Sequence, residues 1–126
     1  MSRSRYSFIE PDAPHFLTCT ILNWMPVFTR HEAVQILLDT WKYQQQTSGL
    51  LLYGFVILDN HLHAMAQAPD LPKIWNNFKS YTARQIIDFL KLRKAKTLLQ
   101  AMQLTKKANR TDREYQVWQE GSHPEM

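Results

Sequence analysis

With 126 residues, 44% of them hydrophobic and 21% charged, the chain has room for one globular core rather than two. No apolar run nears the ~20 residues of a membrane span, no apolar stretch follows the basic N-terminus as in a secretory signal, and one cysteine, Cys19, excludes an internal disulfide framework. A cytoplasmic protein with no membrane partner is expected, and the net charge of +4 is concentrated: residues 73–113 hold eleven of the fifteen Lys and Arg against two acids, a balance that fits a polyanion partner or a solvated helix face.

In chain order, His15 to Asn23 is rich in apolar and β-branched residues and reads as a first strand, with Cys19 as a small core residue. Thr29 and Glu32 stand at capping-box spacing, and Val34, Leu37, Leu38 and Trp41 recur at helical spacing until Ser48-Gly49 ends the helix. Leu50 to Leu58 is a short, bounded apolar run, expected as a central strand. Asp59-Asn60 supplies a tight turn into a further strand, His61 to Ala68, making an antiparallel hairpin.

Asp70 as cap and Pro72 in the first turn open a second helix from about Leu71 to Leu92. Leu71, Trp75, Phe78, Ile86 and Phe89 share its apolar side, while Lys73, Asn77, Ser80, Arg84 and Lys91 share the polar one, with Lys79 beside them. Further short helix and basic loop are expected over 93–109, and Tyr115 to Trp118 as a last strand. The order β-α-β-β-α-β predicts a ferredoxin-like α+β sandwich, with a four-stranded antiparallel sheet, helices on one face and the other face open.

His61 and His63 lie two apart on a predicted strand, so both imidazoles project from one face while Leu62 and Ala64 point the other way. Two neutral nitrogen donors side by side suit a divalent metal. Spacing alone is weak evidence, because His-x-His is a common chance pattern. Imidazole pairs favour zinc-like metals, whereas Mg²⁺ and Mn²⁺ prefer oxygen, so a substrate phosphate and a third side chain would have to complete such a shell. His15, His31 and His123 are scattered and match no short zinc motif.

The block Gly54-Phe-Val-Ile-Leu-Asp-Asn-His-Leu-His-Ala-Met65 resembles the strand–turn–strand carrying His-hydrophobic-His in the HUH transposases, in particular the REP-associated tyrosine transposases and small insertion-sequence transposases. Asn77 to Arg84 resembles that family's Lys-Ser-x-Thr-x-Arg helix, and Tyr115 to Gly121 with His123-Pro124 resembles its Val-Trp-Gln segment, in the same order. The likeness covers roughly residues 5 to 126 as a single domain.

It implies a metal-dependent nuclease and strand-transfer enzyme. His61 and His63 would bind Mg²⁺ or Mn²⁺, and a tyrosine hydroxyl would attack a phosphodiester of single-stranded or hairpin DNA. In that family the tyrosine follows the Trp-Gln segment on a C-terminal helix. The expectation here is a chain that stops before that helix and is incompetent for cleavage by itself; Tyr6 near the N-terminus, Tyr43 on the first helix, Tyr53 in a buried strand, Tyr81 at the margin of the second helix's apolar side and Tyr115 on the last strand are not expected to replace the nucleophile.

Lys73, Lys79, Ser80, Arg84 and Lys91 are candidates for DNA phosphates, Trp118 for stacking on an unpaired base, and Gln119 for DNA contact through the family segment. Trp24, Trp41 and Trp75 fit packing better. The resemblance allows a homodimer without requiring one. Two other readings stay open: a non-enzymatic nucleic-acid-binding module, and an unrelated zinc hydrolase using the same two histidines.

Overall fold

The computed structural model describes residues 10, 12–103 and 115–120. Their elements are β1 (His15–Thr20), α1 (His31–Thr47), β2 (Leu51–Ile57), β3 (His61–Gln67), α2 (Leu71–Leu92) and α3 (Lys96–Met102). The three strands form an antiparallel sheet in the order β1-β3-β2. The central strand is therefore β3, and Leu50–Leu58, expected at the centre, lies at an edge of the described sheet. Its apolar residues do not mark a doubly covered strand: Leu51, Tyr53, Phe55, Val56 and Leu58 are all exposed.

A bulge between Leu52 and Gly54 sets the parity of β2. Leu52, Phe55 and Ile57 pair with Ala66, Ala64 and Leu62 on the helix-covered face, whereas Leu51, Gly54 and Val56 pair with Gln67, Met65 and His63 on the open one. Tyr53, the extra residue, hydrogen-bonds Gln67 through its hydroxyl.

The first strand is shorter than expected. It ends at Thr20, and residues 22–24 coil into a 3₁₀ turn. The capping box at Thr29 is absent: its hydroxyl donates to the Pro26 carbonyl at 3.0 Å within a second 3₁₀ turn, and α1 starts after Arg30 without a side-chain cap. Glu32 instead serves the helix start electrostatically. Its own backbone N–H, and then Arg93 at 2.6 Å, hold its carboxyl below the usual range. Leu37 and Trp41 are buried as expected, joined by Ala33, Thr40 and Gln44, while Val34 and Leu38 are half-buried. Gly49 follows the helix at φ +73°, a backbone conformation that favours glycine, and a Cβ there would meet the Pro69 ring at 3.2 Å, a tight contact.

The second helix has the expected bounds. The Asp70 carboxylate accepts from the Lys73 N–H, and Pro72 sits in the first turn where its missing N–H costs nothing. Leu71, Trp75, Phe78 and Ile86 are buried, and Phe89 is half-buried beneath the Arg93 guanidinium. Trp41, Trp75 and Phe78 stack with centroids 4.7–6.3 Å apart and join α1 to α2.

The expected fourth strand is reduced, among the described residues, to isolated antiparallel bridges, Ile21 with Trp118 and Gln103 with Tyr115. Residues 117–119 still run beside the end of β1, with Leu22 N–H to Val117 O and Gln119 N–H to Thr20 O, both 2.7 Å. They occupy the place of a strand next to β1 without a continuous ladder. The basic loop expected at 104–109 lies outside the described residues.

Trp118 is anchored by a buried hydrogen bond from Nε1 to Thr82 Oγ1 at 3.1 Å, and Thr82 in turn donates to the Phe78 carbonyl. Thr82→Val leaves that indole N–H buried with no acceptor. The expected cost is ~1–3 kcal/mol in urea denaturation, with Thr82→Ser much milder. Equal stability of the Val variant and wild type would show that the bond contributes nothing.

Candidate functional site

The alternation of β3 does what the spacing predicts. Leu62 and Ala64 face the helices, 0% and 1% exposed, while His61 and His63 lie half-buried on the open face. Their ring centroids are 4.9 Å apart, with planes at 84°. The register sets Thr18 opposite His63 and Thr20 opposite His61. His63 Nδ1 is 2.9 Å from Thr18 Oγ1, and His61 Nδ1 is 2.8 Å from Asn60 Oδ1.

The Asn60 oxygen decides which nitrogen of His61 is available. The Asn60 amide is oriented by its own N–H₂, which donates to the Trp24 carbonyl at 3.3 Å, so its oxygen faces His61 and Nδ1 of that ring carries the proton. Nε2 of His61 is then the lone-pair atom. The Thr18 hydroxyl can donate to or accept from Nδ1 of His63, and when it accepts, Nε2 is the lone-pair atom of that ring as well. A ligating histidine whose other nitrogen donates to a fixed oxygen is the usual arrangement around bound metals. The donor set therefore fits a divalent cation, though only as two ligands: among the described residues, no three His, Cys, Asp or Glu cluster together.

Two residues of this arrangement escaped the sequence reading. Asn60 counted only as turn chemistry and Thr18 as a β-branched strand residue. Aromatic rings also flank the imidazoles. Phe16 stacks on His63 at 5.3 Å and 16°, and Trp24 meets His61 edge-on at 6.3 Å and 68°.

A second feature lies along α2. An open groove of about 620 Å³ runs between that helix and residues 115–120, and Lys79, Ser80, Arg84, Trp118 and Gln119 all line it. Five of the seven candidate DNA-contact residues thus come together. Lys91 adjoins them, its Nζ 5.4 Å over the ring of Tyr115, another lining residue. Lys73 does not line the groove; it is exposed in the first turn of α2. Asp88 and Glu120 also line it, so the groove is mixed in charge rather than uniformly basic.

The stacking role expected of Trp118 does not fit its position. Its side chain is 6% exposed and packed among Phe28 and Phe78, with centroids at 5.9 and 6.3 Å. Trp24, expected to pack, is 60% exposed. Tyr53 shares the open face with the histidines, but its hydroxyl is spent on Gln67, four positions or ~13 Å along β3 from His63. Tyr43 and Tyr81 are exposed on helices, and Tyr6 lies outside the described residues. Also among the described residues, no helix is long and apolar enough to cross a membrane.

No protein-family model and no curated protein sequence matches the chain. Solved structures do. A REP-associated tyrosine transposase bound to a REP hairpin superposes over 95% of this chain, with a TM-score of 0.59 and 12% identity. A protein from Deinococcus radiodurans R1 assigned as a transposase matches over 68%, with a TM-score of 0.52 and 16% identity. The chain spans 60% and 66% of the lengths of those proteins. Its fold is that of the HUH-type transposases.

Proposed function

We propose that this chain, with its HUH-type transposase fold, is the metal- and DNA-binding part of an enzyme that cuts and rejoins single-stranded or hairpin DNA. The observation carrying this reading is the paired imidazoles on the open sheet face, their Nδ1 atoms held by Asn60 and Thr18. The bound hairpin of the REP-associated transposase adds support for DNA as the partner.

In this reading Nε2 of His61 and of His63 would hold Mg²⁺ or Mn²⁺, which would supply Lewis-acid polarisation of a scissile phosphodiester. Asn60 keeps the His61 ring in the ligating tautomer, and Thr18 orients the His63 ring and accepts from its Nδ1 once Nε2 is a ligand. Lys79, Ser80, Arg84 and Gln119 hold the DNA backbone in the groove, contacts that position the substrate without reading its sequence. The chemistry proposed for the whole enzyme is transesterification. A tyrosine hydroxyl loses its proton to solvent as its oxygen bonds to phosphorus, the bond from phosphorus to the 3′ oxygen breaks, and that oxygen takes up one proton to leave as a hydroxyl. We assign the attacking hydroxyl to none of the described tyrosines.

The test is fluorescence anisotropy with a labelled DNA hairpin bearing a single-stranded tail, with and without Mn²⁺. Binding should tighten with Mn²⁺ and lose that response in the His61→Ala/His63→Ala double variant. Binding indifferent to both overturns the metal part of the proposal and leaves a non-enzymatic DNA-binding module. Arg84→Ala should weaken hairpin binding to a similar degree for all sequences and reduce the slope of log affinity against log salt by about 1. An unchanged slope removes Arg84 from the phosphate contacts.

A further inference from the structure

The turn before α1 is costly in conformation and conspicuous in what it displays. Asn23 and Trp24 have φ of +58° and +57°, consecutive left-handed residues without a glycine. Asparagine tolerates that region through local hydrogen bonding, but a bulky side chain such as tryptophan does not. Such strain persists only where the surroundings over-determine it. Here they do. The Trp24 N–H donates to Ile21 O at 2.9 Å, its carbonyl accepts from Asn60, and the Asn23 amide donates to Ala101 O at 2.9 Å.

All of this holds an indole that is 60% exposed beside His61, the two ring planes at a steep angle. The four rings Phe16, His63, His61 and Trp24 form a row on the open face. Phe16 has its face against His63, whereas Trp24 meets His61 at 68° and, at 60% exposure, keeps much of its ring surface open to solvent.

We propose that Trp24 is a stacking platform for one unpaired nucleobase of a DNA strand whose phosphate lies at His61 and His63. The inference rests on the metal- and DNA-binding reading above. Single-stranded nucleic acids are held by aromatic faces combined with backbone contacts, and stacking is tolerant of sequence because every base has a π-face. A paired base is shielded by its neighbours in the duplex, so the platform selects for unpaired DNA beside the imidazoles. It moves the stacking role from Trp118, whose ring is buried, to the tryptophan that is presented.

The test measures binding of a dT12 single strand and of a 12-base-pair duplex to the full chain in Mn²⁺, together with Mn²⁺ affinity alone. Trp24→Ala should weaken dT12 binding roughly ten-fold while leaving duplex binding and Mn²⁺ affinity unchanged, and Trp24→Phe should retain most of the binding. Trp24→Gly relieves the left-handed backbone, so it should fold at least as stably as wild type and still lose dT12 binding. Wild-type dT12 binding that survives in the Ala and Gly variants overturns the platform alone. Loss of Mn²⁺ affinity in Trp24→Gly also overturns it, by showing that the turn acts through Asn60. Failure of the wild type to bind either DNA overturns the underlying reading together with the platform.

Discussion

His63→Ala is expected to lower Mn²⁺ affinity roughly 100-fold or more, and His61→Ala to do the same, with little change in thermal stability. Both side chains are half-buried on the open face, so removing either leaves the core intact. With two nitrogen donors, loss of one halves the protein's share of the coordination shell. Changes to the oxygens behind the rings should act more gently. Asn60→Ala and Thr18→Ala free the imidazoles to rotate and to exchange tautomers, for an expected loss of ~10–100-fold. Titration calorimetry or the electron paramagnetic resonance of free Mn²⁺ reads these affinities, and thermal melts run alongside verify the fold. Zn²⁺ should bind more tightly than Mn²⁺, because imidazole is the softer donor. A single-histidine variant with wild-type affinity for both ions would mean that the rings hold no cation.

The largest loss of stability is expected at Phe78. Its side chain is fully buried and stacks on Trp75 at 4.7 Å and Trp41 at 5.0 Å, and it packs against Trp118 at 6.3 Å. Those neighbours come from α1, α2 and the segment beside β1. No single movement can close the space left by Phe78→Ala, and the cost should be ~3–5 kcal/mol. That is a large share of the ~5–15 kcal/mol that holds a typical domain folded. Urea denaturation at constant slope gives the number. A loss below ~1 kcal/mol would mean that the three tryptophans collapse into the cavity and that the stack is not a rigid core.

What the sequence disclosed depended on whether the deciding interaction was local. The second helix was legible to its ends, because Asp70, Pro72 and an unbroken apolar stripe are all signals within one element. The shared face of His61 and His63 followed from strand geometry alone. The place of β2 in the sheet did not, since an apolar run does not say which neighbours cover it. Thr29 and Glu32 had the right spacing for a capping box, yet the hydroxyl went to Pro26 because the preceding residues curl into a 3₁₀ turn. Thr18 became visible as a partner of His63 only with the register of β1 on β3. Trp24 proved exposed and Trp118 buried, the reverse of expectation, for a similar reason. Aromatic identity does not encode exposure, which the Thr82 acceptor settled for one and the left-handed turn for the other.

The bulge in β2 makes that hairpin sensitive to chain length. Tyr53 is the spare residue that lets Phe55 reach Trp41 at 5.2 Å while Val56 stays beside His63. Deleting it would close the bulge into a regular ladder with every one of these pairings kept, whereas inserting one further residue between Gly54 and Phe55 would turn the remainder of the strand inside out, driving Val56 toward the tryptophans and Phe55 out beside the imidazoles. Evolution can thus trade side chains along this edge and even lose the spare residue, but a single-codon insertion would damage the core and the candidate metal site in one step.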